Sequence, residues 1–509
     1  MKHLYLIFAF LTSISAFSQN AKMAKALYNQ GNFSAALTEF EKVLKQNPDD
    51  YYIHQLAGEC YLKMNVDRSA AVTHLKKTVD SGKYHKDALF LLAEAYAQNY
   101  EFDLAIDYYN QYLQTVSRKL SVDVRKRIID CQTAKELMKY PVEVSYTNMG
   151  SEINTEFPDY NPFVNEDEST LLFTSRTKRG GMEQEFDGFY PSDILECRNN
   201  GNGFEKARLL GQNVNSKFDD VLVGLTHDGS QLIIYHDDMD FYGDLFISEK
   251  SGRSYSQKKP LEIVNNLNDL ESAATFSPDG NAIVFASDRP EGKGKSDLYI
   301  IRKLPDGNWS PPQNLGSEVN TPMSEDYPQF SSDGKYLYFS SNGHPGMGGF
   351  DLYLTEWNLE NNIWTRPKNL GYPVNTPRDN RTISFNSGGT SAYVSDWRPD
   401  SHGDMDIYRI DFEQRKNLPA LVRIQVPTGE RENPFIQSEI KVTDEFDELV
   451  GIYRPHPKSG KYVMALNPGK YFLYMDADGF QPYSELMMIS DYYAQAEQNV
   501  KIIQLNKID

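Results

Sequence analysis

From Val142 to about Phe412, apolar and polar residues alternate in short runs broken by turn residues, the signature of half-buried β-strands. The runs recur as a unit. In its clearest copy Tyr327-Pro-Gln-Phe-Ser-Ser-Asp333-Gly334 is followed by Lys-Tyr-Leu-Tyr-Phe-Ser-Ser341 and then by Asp351-Leu-Tyr-Leu. A second copy reads Ala274-Thr-Phe-Ser-Pro-Asp279-Gly280, Ala282-Ile-Val-Phe-Ala-Ser287 and Asp297-Leu-Tyr-Ile, and weaker ones start at Phe157, Phe218 and Arg378, making five. Each predicts a first strand, an Asp-Gly hairpin whose residues tolerate positive φ, a second strand, a longer polar loop and a third strand opened by Asp. A fourth strand follows, as in Asn308 to Leu315.

A companion phrase ends the unit: Gly316-Ser-Glu-Val-Asn320-Thr321, with relatives at Asn154, Asn215, Asn265 and Asn375. From Asn215 onward its copies stand 50, 55 and 55 residues apart. A period near fifty residues points to a β-propeller. The copy at Gly150 to Thr155 precedes the first complete unit, and the last unit ends near Phe412 without one. The strand at 142–149 is therefore predicted to be the outer strand of the last blade, closing a five-bladed ring over 142–412 and removing its sheet edges. The second-to-third loops would share one face with the Val-Asn-Thr connections. They carry Arg176, Arg289, His344, Trp397 and Arg398, the candidate interaction residues, because loops on a rigid scaffold carry function more often than the scaffold does.

Residues 20–140 follow a different period, near 34: Tyr28, Tyr61 and Tyr96 are 33 and 35 apart, and Ala36, Ala71 and Ala105 are 35 and 34 apart. With Gly31-Asn-Phe33-Ser-Ala-Ala36-Leu37, Phe40 and Pro48, this resembles the tetratricopeptide repeat, in which small alanines let paired helices approach and large residues fill the seam. Three copies and a capping helix over Val122 to Lys139 predict an α-solenoid. The resemblance implies a peptide or protein ligand.

Alternation returns in Leu421 to Val426, Glu439 to Val442, Tyr462 to Leu466 and Tyr471 to Asp476, predicting a small β-sandwich over 417–509. Its phrase Ser459-Gly-Lys-Tyr-Val-Met-Ala-Leu466-Asn-Pro-Gly469 with Gly479-Phe-Gln-Pro-Tyr483 resembles the carboxypeptidase regulatory-like domain, a non-catalytic module.

Composition narrows the function. The 509 residues carry a net charge of −19, which disfavours partners held by phosphate neutralisation, so no nucleic acid is expected. Cys60, Cys131 and Cys197 have no disulfide-framework or zinc spacing and read as packing residues. The start, Met1-Lys-His with an apolar run Leu4 to Leu11 and Ser15-Ala-Phe-Ser18, predicts a signal peptide over 1–18 and no transmembrane segment. No Gly-x-Ser-x-Gly or His-Glu-x-x-His occurs. His236-Asp237-Asp238, Gly343 to Gly349 and Asp400 to Asp406 read as polar loops rather than a metal site, a phosphate cradle or a calcium loop. No catalytic, cofactor or metal residue is assigned, and no enzyme is expected.

The whole order of segments, with Gly346-Met-Gly-Gly-Phe-Asp351-Leu-Tyr and Pro367-Lys-Asn-Leu-Gly371-Tyr-Pro-Val-Asn375 as its most telling phrases, resembles the periplasmic PorE-type and OmpA-family proteins associated with type IX secretion and gliding motility. Such proteins usually continue into an OmpA-like domain that grips peptidoglycan, whereas this sequence stops at Asp509 after the sandwich. The resemblance thus implies an exported periplasmic adaptor, peripheral to the outer membrane, whose partners are envelope or secretion-system proteins, an outer-membrane β-barrel among them. The alternative is a glycan- or peptidoglycan-binding module that uses Trp397.

Overall fold

The computed structural model describes residues 20–508 except 65–66, 238–242, 267, 359–362, 414–419, 430–433, 445, 458, 467–468 and 490–500. The segment 1–18, where a signal peptide is expected, lies outside the described residues. Two compact units result, Met1–Glu413 and Gln414–Asp509.

The first unit opens with antiparallel helix pairs: α1 (20–29) and α2 (Phe33–Gln46), α3 (Tyr51–Met64) and α4 (Arg68–Asp80), α5 (Asp87–Gln98) and α6 (Phe102–Leu113), then α7 (Leu120–Leu137). The alanines at the seams are the reason the pairs sit so close. Ala36, Ala57, Ala93 and Ala105 are fully buried, with Phe40, Leu75 and Leu92 filling the space between helices. Asn32 and Asp67 cap α2 and α4, their side chains accepting from the N–H groups of Ala35 and Ala70 at 3.1 Å. α7 runs beyond a cap. It buries Val124, Cys131 and Ala134 on the solenoid side and also reaches the β-structure that follows.

Five antiparallel sheets come next. Blade 1 has strands Asp159–Val164, Thr170–Ser175, Asp193–Arg198 and Arg208–Leu209, and blade 2 has Asp219–Leu225, Gln231–Asp237, Asp244–Ser251 and Lys259–Pro260. Blade 3 has Glu271–Phe276, Ala282–Ser287, Asp297–Arg302 and Gln313–Asn314. Blade 4 has Glu325–Phe330, Tyr336–Ser341, Asp351–Asn358 and Lys368–Asn369. Blade 5 has Ile383–Phe385, Ser391–Asp396 and Asp406–Phe412, and its outer strand is Val144–Asn148, paired antiparallel from Val144↔Phe412 to Asn148↔Tyr408. Apolar side chains of neighbouring blades share cores, as Ala273, Ile283 and Phe285 of blade 3 do with Val223, Ile233 and Leu245 of blade 2. The architecture is a helical-repeat array followed by a β-propeller.

The outer strands are far shorter than Asn308 to Leu315 predicts. That segment forms a strand only at Gln313–Asn314, with an isolated bridge from Trp309 to Lys303 before it, because Pro311 and Pro312 lack the N–H a continuous ladder needs. Side chains compensate. In four of the blades the closing asparagine holds the third strand of the blade before it, both accepting from and donating to one residue's backbone. Asn215 does so with Ile194, Asn265 with Leu245, Asn320 with Leu298 and Asn375 with Leu352, all at 2.7–3.2 Å.

The second unit pairs two sheets. One orders Lys461–Leu466, Ala420–Gln425 and, in parallel, Lys501–Ile502. The other orders Leu449–Tyr453, Ile440–Asp444, Gly469–Met475 and Tyr483–Ile489. Val422, Ile424, Tyr462 and Met464 of one meet Ile440, Val442, Leu473 and Met475 of the other in one core, which makes a sandwich.

Candidate functional site

The face that carries the second-to-third loops is built outward from buried acids. In blades 3, 4 and 5 the aspartate that opens the third strand folds its own loop back by accepting backbone N–H groups, Asp406 from His402 at 2.9 Å among them. Asp351 accepts from Met347 at 2.8 Å and Gly348 at 3.2 Å, and Asp297 from Lys293 at 2.5 Å and Gly294 at 2.9 Å. Gly346 is needed here, since a Cβ on it would stand 2.0 Å from the Asp351 carboxylate. Burial pushes the Asp351 carboxyl up to about 7, and Asp193, its counterpart in blade 1, likewise.

A second set of acids sits at the start of the first strands. Asp159, Asp220, Glu271 and Glu325 are fully buried and accept from the N–H groups of Thr155, Ser216, Asn266 and Thr321. In blade 5 the neutral Asn380 does the same work, taking the Thr376 N–H at 2.7 Å. Burial raises the carboxyls of Asp159 (to about 7), Glu271 and Glu325. Burial also acts on Asp220, but hydrogen bonds from His236 and Lys258 outweigh it and hold that carboxyl low.

The five predicted interaction residues lie among these groups, each engaged within the propeller. Arg176 meets Asp187 and Glu185, both at 2.5 Å, and Arg289 meets Glu271 at 3.1 Å while its guanidinium lies 4.8 Å over Phe285. His344 bonds the Val319 carbonyl at 2.7 Å, and burial lowers its pKa. Arg378 lies over Trp397 at 4.7 Å, and Arg398 sits 3.8 Å over Tyr146 beside Asp396. Trp397 and Arg398 are thus together in blade 5, whereas Arg176, Arg289 and His344 stand in blades 1, 3 and 4. His236 is paired with buried Asp220 at 2.9 Å, and Asp238 lies outside the described residues. Among the described residues no group of three or more His, Cys, Asp or Glu could hold a metal ion.

What sequence reasoning missed is that the helical array docks on this face. Arg127 of α7 donates to the Gly348 carbonyl at 2.5 Å, and buried Asp130 accepts from the Gly346 N–H at 3.1 Å. Met347 is packed into the core of the helices, and Tyr100 meets Tyr372 edge-on at 6.1 Å. At the other end of the array Asn32 lies against Gly188, where a Cβ would come within 2.7 Å of it. The only sequence signal was the Gly-Met-Gly-Gly run, whose small residues admit a close neighbour.

The propeller axis was also unread. Asn161 in blade 1 reaches across to the Tyr327 hydroxyl in blade 4 at 3.3 Å, and both residues have positive φ (+51° and +47°). Beside them Asp326 accepts from Ser272 at 2.8 Å, its carboxyl raised by burial. Strained non-glycine backbone of this kind persists only where the surrounding packing dictates it.

Among the described residues no helix is long and apolar enough to cross a membrane. A tetratricopeptide-repeat family model matches residues 22–65 and 67–118. No curated relative matches the chain. Three solved structures are similar to part of the chain. TolB from Acinetobacter baumannii is 14% identical, with a TM-score of 0.34 over 57% of this chain and 69% of its own. A luciferin-regenerating enzyme is 10% identical, with a TM-score of 0.32 over 53% and 95%. A glycoside hydrolase is 10% identical, with a TM-score of 0.36 over 55% and 94%. The helical segment thus matches a repeat whose general role is to bind protein, and the propeller is read from its own sheets.

Proposed function

We propose that this chain is a non-catalytic scaffold of the cell envelope, gathering protein partners for type IX secretion or gliding motility through its tetratricopeptide array. One observation carries the reading. The array's α7 edge is committed to the propeller, while its opposite end leaves large apolar groups uncovered: Tyr52 of α3 is 55% exposed and Met23 of α1 is 54% exposed. Lys25 of α1 lies 4.4 Å from the Tyr52 ring of α3, so the two helices meet at this end with a charge beside the exposed aromatic ring. Exposed aromatic and methionine side chains of this kind are the usual anchors of protein interfaces.

The test is recovery of partners by the tagged chain from envelope extracts at native expression. Wild type should retain defined secretion or outer-membrane components, and a Tyr52→Ala, Met23→Ala variant should lose them. Recovery of no specific component by wild type sinks the proposal. The glycan-binding alternative has weaker support, because Trp397 stacks beneath Arg378 instead of standing free as a sugar platform. Cosedimentation with purified cell wall, unchanged by Trp397→Ala, would remove it.

A further inference from the structure

Two cavities on the propeller flank occupy matching positions, and their differences are informative. The first lies between blades 1 and 2 (about 370 Å³) and the second between blades 3 and 4 (about 290 Å³). Each is roofed by a two-residue strand that folds back on the end of a third strand, pairing Lys250 with Tyr255 in the first and Trp357 with Trp364 in the second. Each also contains the arginine that ends the preceding third strand, Arg198 or Arg302.

In the first cavity the arginine is neutralised: Arg198 binds Glu196, two residues earlier, at 2.7 Å. In the second, the residue two before Arg302 is Ile300, and no ion pair to Arg302 exists among the described residues. Arg302 lies instead 5.0 Å over the Trp357 ring and makes one side-chain hydrogen bond, to Gln313 at 3.3 Å. Burial lowers its pKa with no carboxylate to oppose the effect. Glu318, which also lines the cavity, is exposed and forms no ion pair with it. Trp364, only 4% exposed, has an indole N–H without an acceptor. Among the described residues the cavity therefore offers the Arg302 guanidinium and aromatic walls, with no carboxylate paired to that charge. A guanidinium seated over an indole loses little freedom when it binds an anion, and its planar fork matches a carboxylate bidentately.

We propose that the cavity between blades 3 and 4 is a binding site for a carboxylate carried on an apolar or aromatic group, recognised by Arg302 and seated against Trp357 and Trp364. Two sources share this chemistry, a free organic acid and the C-terminal carboxylate of a peptide with an apolar last residue. The volume suits either one small molecule or one chain end.

The test is titration calorimetry of the full chain with phenylacetate and with the peptide Gly-Gly-Phe, each beside its amide, phenylacetamide or the C-terminally amidated peptide. The acids should bind at least about tenfold more tightly than the amides, as a lost charge-assisted pair requires. Binding of phenylacetate alone assigns the site to small acids; binding of the free-acid peptide assigns it to chain ends. Arg302→Gln should abolish binding. Ile300→Glu should do the same while leaving the arginine in place, because it recreates the Glu196–Arg198 pair already accommodated next door; an unchanged thermal midpoint would verify the fold. Equal binding of acid and amide, retention of binding by Ile300→Glu, or no binding of either acid at millimolar concentration would overturn the assignment.

Discussion

Asn154 holds Ile407 from 253 residues away, its Oδ1 accepting the Ile407 N–H at 2.8 Å and its Nδ2 donating to the Ile407 carbonyl at 3.1 Å. This is the clasp that the other closing asparagines make within their own stretch of chain, here made between the two ends of the ring. The strand Val144–Asn148 and the clasp together join the first blade to the last. Removing the amide orphans the buried Ile407 N–H, while the Ile407 carbonyl keeps the Met149 N–H at 3.2 Å, so Asn154→Ala should destabilise the propeller by about 1–3 kcal/mol. Asn320→Ala, which breaks an equivalent clasp inside continuous chain, should cost a similar amount. Only Asn154→Ala should also speed proteolysis around Tyr140, because it frees an end of the ring. Thermal unfolding and timed trypsin digestion measure the two effects; equal digestion of both variants contradicts a special role for the closure.

The ring closure was legible because the phrase at Gly150 to Thr155 repeats and a displaced copy can be counted, although the side-chain role of its asparagine was not. The docking of the helices was not. Arg127 and Asp130 look like any surface charge pair on a helix, and their partners Gly348 and Gly346 lie more than two hundred residues further on. The partners of the five loop residues were hidden for a related reason. Sequence shows that Arg176 or Arg289 is in a polar loop but not that Asp187 or Glu271 already neutralises it. The Asp-Gly turns and alternating strands were readable from local chemistry, whereas the length of the outer strands depended on where consecutive prolines removed donors.

Blade 5 supplies an experiment on the buried acids. Asn380 performs with a neutral amide what Asp159 performs with a carboxyl raised to about 7 by burial. A raised carboxyl favours its protonated form in the folded state, so Asp159 costs stability progressively as pH rises from about 4 towards 7 and imposes its full penalty above that. Asp159→Asn should remove this dependence, becoming equal to or more stable than wild type above pH 7 (about 1 kcal/mol or more) and losing the advantage near pH 4. Thermal midpoints of both proteins across that range decide it, and parallel curves would count against a raised Asp159.

Within the solenoid His74 behaves in the opposite sense. Its Nδ1 lies 2.9 Å from that of His54, and burial, with the neighbouring His54 and Lys77, lowers its pKa to about 4 despite Glu41 at 3.3 Å. The unfolded chain therefore takes up a proton near pH 6.5 that the folded array resists until about pH 4. Stability should be intact above pH 6.5 and fall through that window by at most about 1.4 kcal/mol per pH unit. Helical circular dichroism of His74→Phe should show the slope reduced, and an unaltered slope would assign it to other groups.

The junction of helices and propeller rests on Arg127, which also meets Glu94 at 3.3 Å while Tyr109 donates to the same carboxylate. Glu94 raises the Arg127 pKa above its ordinary range, so the guanidinium is charged at every accessible pH. Arg127→Met keeps the bulk of the side chain but leaves Glu94 without its cation and the Gly348 carbonyl without its donor. Breaking a partly buried pair in this way typically costs about 3–5 kcal/mol, reduced here because the Glu94 side chain is 19% exposed. The loss should be local. Hydrogen exchange should accelerate at the amides of Gly346, Met347 and Gly348, which Asp130 and Asp351 now hold, while the inner strands of blades 2 and 3 stay protected. Exchange that rises throughout the propeller would mean that the helices support its fold; exchange unchanged at Gly346 to Gly348 would mean that Asp130 alone secures the contact.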